Sequence, residues 1–366
     1  MKKVVLFLFD LGMGGTEKVM INLANYLSKN NFEVQILTIS SIKKSLQSSI
    51  EDGVEIKSLN ASRILFSFFK LFSYTKRNNF DFFIANVWPL TIIATCCALF
   101  QKGLSKKIIL VEHCNLEEEF ASKNYLYRFL QRISIRLLYP ISKKVIAVSK
   151  GVRNDLVLNK SLEANLVQVI ENPVDCKYFP AKYEDESITN WLSFKNAKLI
   201  SVGNFKPQKN YPYLIQILKI LKRKGFLFKQ LIVGDGQLMK EIEQQIKQND
   251  LSNNVFLAGS IAQPLDLIES ADLFILPSSF EGFGLVIVEA LSVGTTVVST
   301  DCKSGPAEIL LDGKLGYLGE VNNAESFAEL IIEAFSNKFN KDNLKLRSKD
   351  FTIEKIGPQY IELFNS

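Results

Sequence analysis

The sequence predicts an α/β protein made of two Rossmann-like, doubly wound domains that face each other across a cleft. Its 366 residues exceed one ordinary hydrophobic core and suit two domains of roughly 150 to 200 residues each. The strand-like segments are short, continuous apolar runs, which is the form taken by parallel strands covered on both faces. Helical segments alternate with these runs, as in doubly wound folds.

The predicted strands locate the edges at which the sheets can bind ligands. They lie at 4–9, 33–39, 81–86, 107–112, 144–149, 198–203, 229–234, 254–259, 272–277 and 295–300. Helices are predicted at 16–29, 211–224, 237–248, 285–293 and 324–336. Ligands of open α/β sheets bind at the carboxyl ends of the strands, so the residues that directly follow each strand are the first functional candidates.

The alternation breaks at about 172–196, where the chain has two prolines, a run of charges and no clear strand. We therefore predict an N-terminal domain at 1–180 and a C-terminal domain at 181–345. A helical segment at 346–366 is expected to pack back on the N-terminal domain. The cleft between two such domains is the expected active site.

Composition and cysteine usage favour a globular cytoplasmic protein. Hydrophobic residues make up 47% and charged residues 22% of the chain, which excludes a disordered polypeptide. The five cysteines are scattered without CxxC spacing, which favours reduced thiols over a zinc site or a disulfide framework.

Two apolar segments resemble a signal peptide or a membrane span, and both are too short. The opening MKKVVLFLFD resembles a signal peptide, but its apolar run is short and ends at Asp10, so it is interpreted as the first buried strand. The apolar run at 87–100 is shorter than the roughly 20 residues that span a bilayer.

The charge is unevenly distributed. Residues 1–180 carry 24 basic and 15 acidic side chains, whereas the remainder carries 20 and 23. A basic first half suits an anionic partner, which can be a nucleic acid, a phosphate-bearing substrate or an acidic membrane surface.

Glycines and lysines follow several strands. Gly14 and Gly15 precede the first helix, where free N–H groups suit an anion, although the spacing is not GxGxxG and a purely structural turn remains open. Lys206 and Lys209 follow the strand at 198–203, either as a phosphate grip or as ordinary solvated lysines. The single histidine, His113, follows the strand at 107–112 and is either a structural or a functional residue.

The segment SSFEGFGLVIVEAL at 278–291 holds two acids around a glycine turn. Glu281 stands in the loop after a strand, and Glu289 stands two turns into the helix that follows. Gly282 and Gly284 let backbone amides face a ligand, and the helix start suits a diphosphate. The carboxylate of Glu289 is then placed to accept hydrogen bonds from the vicinal hydroxyls of a ribose, which describes a nucleotide-sugar site.

The chain resembles glycosyltransferase family 4, the retaining nucleotide-sugar transferases of the GT-B fold. The resemblance runs along nearly the whole chain. It rests on the segments GMGGTEKVMINLANYL, VIAVSKGVRNDL, VIENPVDCKYF, VGNFKPQKNYPYLI, LIVGDGQL, VFLAG, ADLFILPSSFEGFGLVIVEAL and STDCKSGPAEIL. The pair of glutamates with seven residues between them, in the EGFG context, is its most specific part.

The resemblance implies roles for the residues at matching positions. Those implied to be catalytic are Glu281 at the donor sugar, Lys209 at the diphosphate and His113 near the donor sugar and acceptor. Those implied to bind the donor are Glu289 at the ribose, Gly14 and Gly15 near the phosphates, Gly259 and Ser260 at the base, and the amides of Phe283, Gly284 and Leu285.

The chain departs from the family at Asn204, where the family usually has arginine. Lys206 is a possible substitute from two residues further on, but an ammonium lacks the planar fork with which arginine holds phosphate oxygens. With asparagine in place of arginine, the rate of transfer or the choice of donor is expected to differ from that of the family. No DxD motif is present, and the fold that the resemblance implies places the diphosphate without a metal, so no metal and no cofactor are expected.

Two predicted helices that combine basic and aromatic residues indicate which kind of acceptor the protein uses. Residues 121–139 carry Arg128, Arg132 and Arg136 on one stripe beside an apolar stripe, and residues 62–77 combine Lys70 with several phenylalanines. Such helices either lie in a membrane interface or pack on the core with solvated basic faces. The first alternative implies a lipid-linked acceptor and a cytoplasmic protein peripheral to the membrane.

The resemblance is therefore to bacterial transferases that build lipid-linked or surface glycans from a nucleoside-diphosphate hexose or N-acetylhexosamine, with UDP as the expected carrier. Three other classes remain open. A sugar-nucleotide 2-epimerase of similar fold would act on the donor alone, and a degenerate relative would bind nucleotide or membrane without turnover. A nucleic-acid binder would fit the basic half, but no recognised module supports it.

Overall fold

The computed structural model describes residues 1–12, 14–40, 49–61, 64–176 and 181–365. Met13 of the first glycine-rich segment, residues 62 and 63 of the basic segment and residues 177–180 beside the predicted boundary lie outside them. The chain forms two compact units. We call Met1–Asp175 with Thr352–Ser366 the N-terminal unit, and Cys176–Phe351 the C-terminal unit.

The described part of the N-terminal unit contains one parallel sheet. Its strands are β1 (Lys2–Leu8), β2 (Phe32–Thr38), β3 (Val54–Ser58), β4 (Phe82–Asn86), β5 (Ile108–Glu112), β6 (Lys144–Ala147) and β7 (Val167–Val169). They are arranged in the order β3-β2-β1-β4-β5-β6-β7. The order reverses between β1 and β4, and β4 and β5 are buried along their whole length. The predicted apolar runs therefore become the centre of the sheet.

Helices connect these strands. They are α1 (Gly15–Lys29), α2 (Ile64–Arg77), α3 (Leu90–Leu99), α4 (Leu116–Glu119), α5 (Tyr125–Leu138) and α6 (Lys150–Asn154). α1 follows β1 and leads to β2, whereas α2, α3 and α5 lie on the connections that run from β3 through β4 and β5 to β6. Right-handed crossovers place helices on opposite faces when the strand order advances in opposite directions. Both faces of the central strands are thereby covered.

The C-terminal unit repeats the plan. Its strands are β8 (Ala197–Val202), β9 (Phe228–Val233), β10 (Val255–Leu257), β11 (Leu273–Leu276), β12 (Thr296–Thr300) and β13 (Tyr317–Gly319). Its helices are α7 (Glu186–Leu192), α8 (Tyr211–Arg223), α9 (Met239–Gln248), α10 (Leu265–Ser270), α11 (Leu285–Ser292), α12 (Pro306–Ile309), α13 (Ala324–Ser336) and α14 (Lys341–Ser348). The sheet is parallel, in the order β10-β9-β8-β11-β12-β13. Its order reverses between β8 and β11.

The last helix, α15 (Ile353–Asn365), belongs to the N-terminal unit. Phe364 stacks on Phe82 with ring centroids 4.4 Å apart and meets Phe32 edge-on at 5.6 Å. Gly357 lies against Tyr26 so closely that a Cβ there would come within 2.3 Å of the ring. The apolar side of α15 is thus part of the core around β2 and β4.

Residues 346–351 fall in the C-terminal unit, so the structure divides at 351/352 where the sequence analysis placed the change at 345/346. The reason is Arg347, which donates hydrogen bonds to the carbonyls of Glu308 and Ile309, each at 3.0 Å. Phe351 then packs edge-on against Phe283 at 5.4 Å. At the other boundary, the units part at Asp175/Cys176.

All ten predicted strands correspond to strands of the two sheets, and the α/β class with two doubly wound units is confirmed. The strands β3, β7 and β13, which lie at sheet edges, were not predicted because none of them is a continuous apolar run. In β3, buried and exposed positions alternate, so the strand contains no continuous apolar run.

The five cysteines are free thiols. Across the residues that the structure describes, no helix combines the length and apolarity needed to cross a membrane.

Candidate functional site

The residues predicted to bind a donor in the C-terminal unit follow the carboxyl ends of neighbouring strands. Asn204, Lys206 and Lys209 follow β8, the Glu281 loop follows β11, and Gly259 with Ser260 follows β10. Because β8 and β11 are adjacent at the point where the strand order reverses, their loops are adjacent too. A reversal of strand order opens the crevice in which doubly wound sheets bind ligands.

A buried ion pair lies at the centre of this arrangement. The Lys209 Nζ lies 2.7 Å from Oε1 of Glu281, whose side chain is 7% exposed. The Ser278 hydroxyl donates to the same carboxylate oxygen at 2.6 Å. The side-chain amide of Gln208 donates to the carbonyl of Phe280 at 3.1 Å, which fastens the β8 loop to the β11 loop. Glu281 is therefore a fixed, charge-compensated acid, and Lys209 keeps a side chain that is 17% exposed.

The turn after Glu281 prepares the start of α11. Gly284 is the N-cap residue, with φ of 101°, a left-handed conformation that favours glycine. Leu285 begins the helix, whose first N–H groups have no partner within a helix and suit an anion. Phe283 is buried, and its carbonyl lies against Gly305, where an added Cβ would sit only 1.8 Å from the oxygen.

Glu289 lies on α11 and is half-buried, and no residue in the described ranges pairs with its carboxylate. Asn204 and Lys206 are exposed on the β8 loop. Ser260 is exposed as well, and Gly259 has open space where a Cβ would lie, with φ of 67°. These side chains are accessible to a ligand, and the roles assigned to them remain predictions.

In the N-terminal unit, Gly14 is the N-cap of α1 and Gly15 its first residue. Gly15 is exposed and Gly14 half-buried, so the amide end of a fifteen-residue helix is presented at the carboxyl end of β1. This geometry suits the predicted phosphate contact, which stays a prediction.

His113 follows β5, and a hydrogen bond to the neighbouring strand β4 fixes its ring. Nε2 lies 3.1 Å from Oδ1 of Asn86, the last residue of β4. Burial lowers the pKa of His113 to about 3, so the imidazole is neutral at physiological pH. Its Nδ1 is buried and has no hydrogen-bond partner among the described residues. His113 is thus a fixed neutral ring.

Behind His113, on the other face of β5, lies a buried acid. Glu112 is inaccessible to solvent and accepts hydrogen bonds from Tyr139 and, at 3.3 Å, from Thr91. Among the residues that the structure describes, its second oxygen has no hydrogen-bond partner. Burial raises the pKa of Glu112 to about 7, against the opposing effect of these donors.

This acid predicts a pH-dependent stability. The folded chain keeps the Glu112 proton up to about pH 7, whereas the unfolded chain releases it near pH 4.3, so the free energy of unfolding falls as pH rises across that window. E112Q is expected to be more stable than the natural protein at pH 8 by about 3 to 4 kcal/mol and nearly equal below about pH 4. Urea unfolding at both pH values measures this. An equal difference between the two proteins at both pH values would contradict it.

The α5 helix presents its apolar stripe to solvent. Tyr125 is 83% exposed, Phe129 47% and Leu137 65%, while Gln131 and Ile135 are the buried residues of the helix. Ile133, the fourth residue of this stripe, is half-buried, so three of its four side chains are exposed and do not pack on the core. On α2, Phe69 is likewise exposed beside Lys70, whose ammonium donates to the carbonyl of Asn60.

The arginines of α5 differ among themselves. Arg128 and Arg132 both contact the carboxylate of Glu117 on α4, whereas Arg136 is exposed near the end of α5. The buried Lys160 donates to Glu117 at 2.8 Å. This hydrogen bond and the two arginines lower the pKa of Glu117 to about 2. Three cations thus converge on one acid.

Several residues of these sites escaped the sequence analysis: Asn86, Glu117, Gln208, Ser278 and Gly305. Ser278 stands in the quoted segment, three residues before Glu281, which was its available signal. Asn86 ends a predicted strand, as His113 follows one. Glu117 and Gln208 act through partners distant in sequence, and nothing local marks them.

Comparisons with known proteins identify the family and the fold. The family model described as Glycosyltransferase Family 4 matches residues 13–178, and that described as Glycosyl transferases group 1 matches residues 185–350. A Campylobacter jejuni relative, N-acetylgalactosamine-N,N'-diacetylbacillosaminyl-diphospho-undecaprenol 4-alpha-N-acetylgalactosaminyltransferase, is 29% identical over 98% of both chains. The amylovoran biosynthesis glycosyltransferase AmsD of Erwinia amylovora is 24% identical over 96% of both.

Among solved structures, HepE of Anabaena in complex with UDP and glucose superposes with a TM-score of 0.82, at 21% identity and 100% coverage of both chains. This likeness concerns the fold. The two family matches adjoin and together account for most of the chain. The protein therefore belongs to the group 1 and family 4 glycosyltransferases and is a hexosyltransferase.

Proposed function

We propose that this enzyme transfers a hexose or N-acetylhexosamine, with retention at the anomeric carbon, from a nucleoside-diphosphate sugar to a lipid-linked glycan acceptor in bacterial surface-glycan assembly. The observation that carries the donor half is the buried Lys209–Glu281 pair beside the start of α11, at the reversal of strand order. A cation, an acid and a free helix start at one sheet edge suit a diphosphate with a sugar attached.

UDP is the proposed carrier. The Anabaena structure that this fold resembles holds UDP and glucose, and the Campylobacter relative is named for transfer of N-acetylgalactosamine to a diphospho-undecaprenol glycan. Glu289, half-buried on α11 and unpaired within the described ranges, is the proposed partner of the ribose hydroxyls. Gly259 and Ser260 are the proposed base-binding segment, since no atom lies within 4 Å of an added Cβ at Gly259 and Ser260 is exposed.

The proposed reaction proceeds on one face of the sugar. The bond between the anomeric carbon and the diphosphate oxygen breaks, and the acceptor hydroxyl bonds to the same face of that carbon. The hydroxyl proton passes to the departing phosphate oxygen, so the scheme contains no dedicated base. Lys209 and the α11 amides stabilise the charge that develops on the diphosphate, usually the largest single contribution to such catalysis. Neither a metal nor a cofactor takes part in this scheme.

Glu281 has an electrostatic role in the proposal. Its carboxylate is held by Lys209 and Ser278, so it does not reorient as the reaction advances. A fixed negative charge near the sugar favours the positive charge that builds on the anomeric carbon. Asn204 removes one cation that the family usually supplies, and Lys206 is the proposed replacement.

The acceptor is proposed to be lipid-linked because α5 exposes apolar and basic side chains together. Tyr125, Phe129 and Leu137 are exposed on the helix that also carries Arg132 and Arg136. Aromatic and aliphatic side chains enter the acyl boundary while arginines contact anionic headgroups. The enzyme is accordingly proposed to bind the anionic cytoplasmic membrane surface through α5.

The double variant R132S/R136S tests this contact. Each basic residue near an anionic surface contributes about 1 kcal/mol, so partition onto phosphatidylglycerol vesicles should fall roughly 10- to 30-fold. Binding to phosphatidylcholine vesicles should be weak for both proteins. The control K240S/K247S removes the same charge from exposed positions of α9. Equal losses in both double variants would show a net-charge effect and refute the α5 contact.

Nucleotide binding and transfer are tested together. In a thermal-shift panel of UDP, GDP, ADP and NAD, a nucleotide at 100 times its Kd adds about 2.7 kcal/mol of stability. UDP alone should stabilise the natural protein, and E289A should lose the effect. Release of UDP from a UDP-sugar only when a glycolipid acceptor is present identifies the transferase.

The rival functions give different outcomes. Interconversion of the donor sugar without acceptor would identify a 2-epimerase. Nucleotide binding without any release, at every acceptor tried, would identify the non-catalytic relative. No stabilisation by any of the four nucleotides would refute the donor site.

A further inference from the structure

A hydrogen-bonded chain links the ends of three neighbouring strands in the N-terminal unit. The Phe7 carbonyl on β1 accepts from Nδ2 of Asn86 on β4 at 3.3 Å. Oδ1 of Asn86 then lies 3.1 Å from Nε2 of His113, which follows β5. Asn86 is fully buried, so solvent does not compete for either contact.

The carbonyl of Phe7 fixes the orientation of the Asn86 amide. A carbonyl oxygen only accepts hydrogen bonds, so the amide nitrogen must face Phe7 and the amide oxygen must face His113. That oxygen also only accepts. Nε2 of His113 must therefore carry a proton, and in a neutral imidazole Nδ1 is then a bare acceptor.

The bare Nδ1 has no partner among the described residues, although it is buried. Buried polar atoms usually find a partner, and one without it marks a place where a ligand group can supply the missing bond. His113 follows β5, next to β4 at the reversal of strand order, which is where ligands of such sheets bind.

We propose that Asn86 is a positioning residue that holds His113 in the Nε2–H tautomer, so that Nδ1 accepts a hydrogen bond from a substrate hydroxyl. The role of the hydroxyl rests on the proposed transferase function, whereas the tautomer does not. The low pKa of His113 agrees with a ring that stays neutral. His113 thus acts as an acceptor of fixed direction and does not shuttle protons.

The tautomer can be read directly because the chain contains one histidine. Protein labelled with ¹⁵N-histidine should give one imidazole set in a long-range ¹H–¹⁵N spectrum, with Nε2 protonated, Nδ1 bare and no titration above pH 5. N86L, which has similar size and accepts nothing, should change this pattern toward a mixture of tautomers. A proton on Nδ1 in the natural protein, or an unchanged N86L spectrum, would overturn the proposal.

N86D is the second variant, because its carboxylate still accepts from Nε2 but adds a charge. The nearby charge should raise the proton affinity of His113 about 10- to 1,000-fold. Transfer by N86D should then rise with pH as His113 loses that proton, while the natural enzyme stays flat over the same range. The comparison is repeated in an E112Q background, since Glu112, the residue before His113, titrates near pH 7. An N86D protein whose His113 titration matches the natural one would also refute the proposal.

The spectra need no substrate, so they separate the two hypotheses. The expected tautomer together with undiminished transfer in H113Q would leave the Asn86 assignment intact and refute the substrate contact. The opposite tautomer in an active transferase would refute both the Asn86 assignment and the acceptor role of Nδ1, and would leave the transferase function standing.

Discussion

K209M is expected to lower the rate of transfer about 100- to 1,000-fold, the usual loss when one fixed donor to a developing negative charge is removed. It should also destabilise the C-terminal unit, because Glu281 would stay buried without its cation. Breaking an entirely buried pair costs about 3 to 5 kcal/mol, and since Lys209 is 17% exposed we expect about 2 to 4 kcal/mol. Steady-state transfer and urea unfolding measure the two effects.

The double variant K209M/E281Q separates stability from catalysis. A neutral amide at 281 keeps a partner in the Ser278 hydroxyl, so stability should largely return while transfer stays low. K206M serves as the stability control because Lys206 is exposed on the same loop, and its free energy of unfolding should match that of the natural protein. Recovery of transfer in the double variant would mean that Lys209 acts only as a structural counter-ion.

G305A is expected to have the largest effect on stability for the smallest change in side chain. Gly305 has φ of 95°, and an added Cβ would lie 1.8 Å from the carbonyl oxygen of Phe283. With ψ of −65° as well, this backbone conformation is sparsely populated and costs roughly 1 to 3 kcal/mol for a residue with a Cβ. The contact with backbone atoms cannot be relieved by a rotamer, so the turn at Phe283 and Gly284 must move.

The matched control for G305A is G225A. Gly225 also has positive φ, 73°, but no atom lies within 4 Å of its added Cβ. G225A should therefore show the backbone cost alone, and G305A should lose clearly more stability as well as UDP binding. Thermal unfolding with and without UDP measures both. Equal destabilisation by the two substitutions would show that the contact with Phe283 relaxes freely.

The sequence predicted the sheets well because parallel strands buried on both faces are continuous apolar runs, and such a run identifies itself without its neighbours. β7 is interrupted by Gln168 and β13 ends in Gly319, so neither forms a continuous apolar run, whereas the equally short β10 does. In α5 the limit was different. An amphipathic pattern marks two faces but does not say which one meets the core, and here the buried positions are Gln131 and Ile135.

The sequence predicted which residues belong to the candidate site, but it did not predict which of them contact each other. Glu281 and Glu289 stand in one recognisable segment, and Lys209 follows a strand. That Lys209 and Glu281 form a pair depends on β8 and β11 being neighbours, since 72 residues separate the two side chains. Asn86 and His113 meet for the same reason across β4 and β5. Contacts of this kind follow from strand order, which no single segment encodes.

The return of α15 to the N-terminal unit has a consequence for how the protein is made. Phe364 fills the core beside Phe32 and Phe82, yet the ribosome adds it only after the whole of the C-terminal unit. The C-terminal unit, continuous from Cys176 to Phe351, can close while the earlier half of the chain still lacks one of its helices. The N-terminal unit therefore completes its core only after the C-terminal unit has been synthesised. A stop codon before Ile353 would remove α15 and so damage a unit most of which is translated earlier.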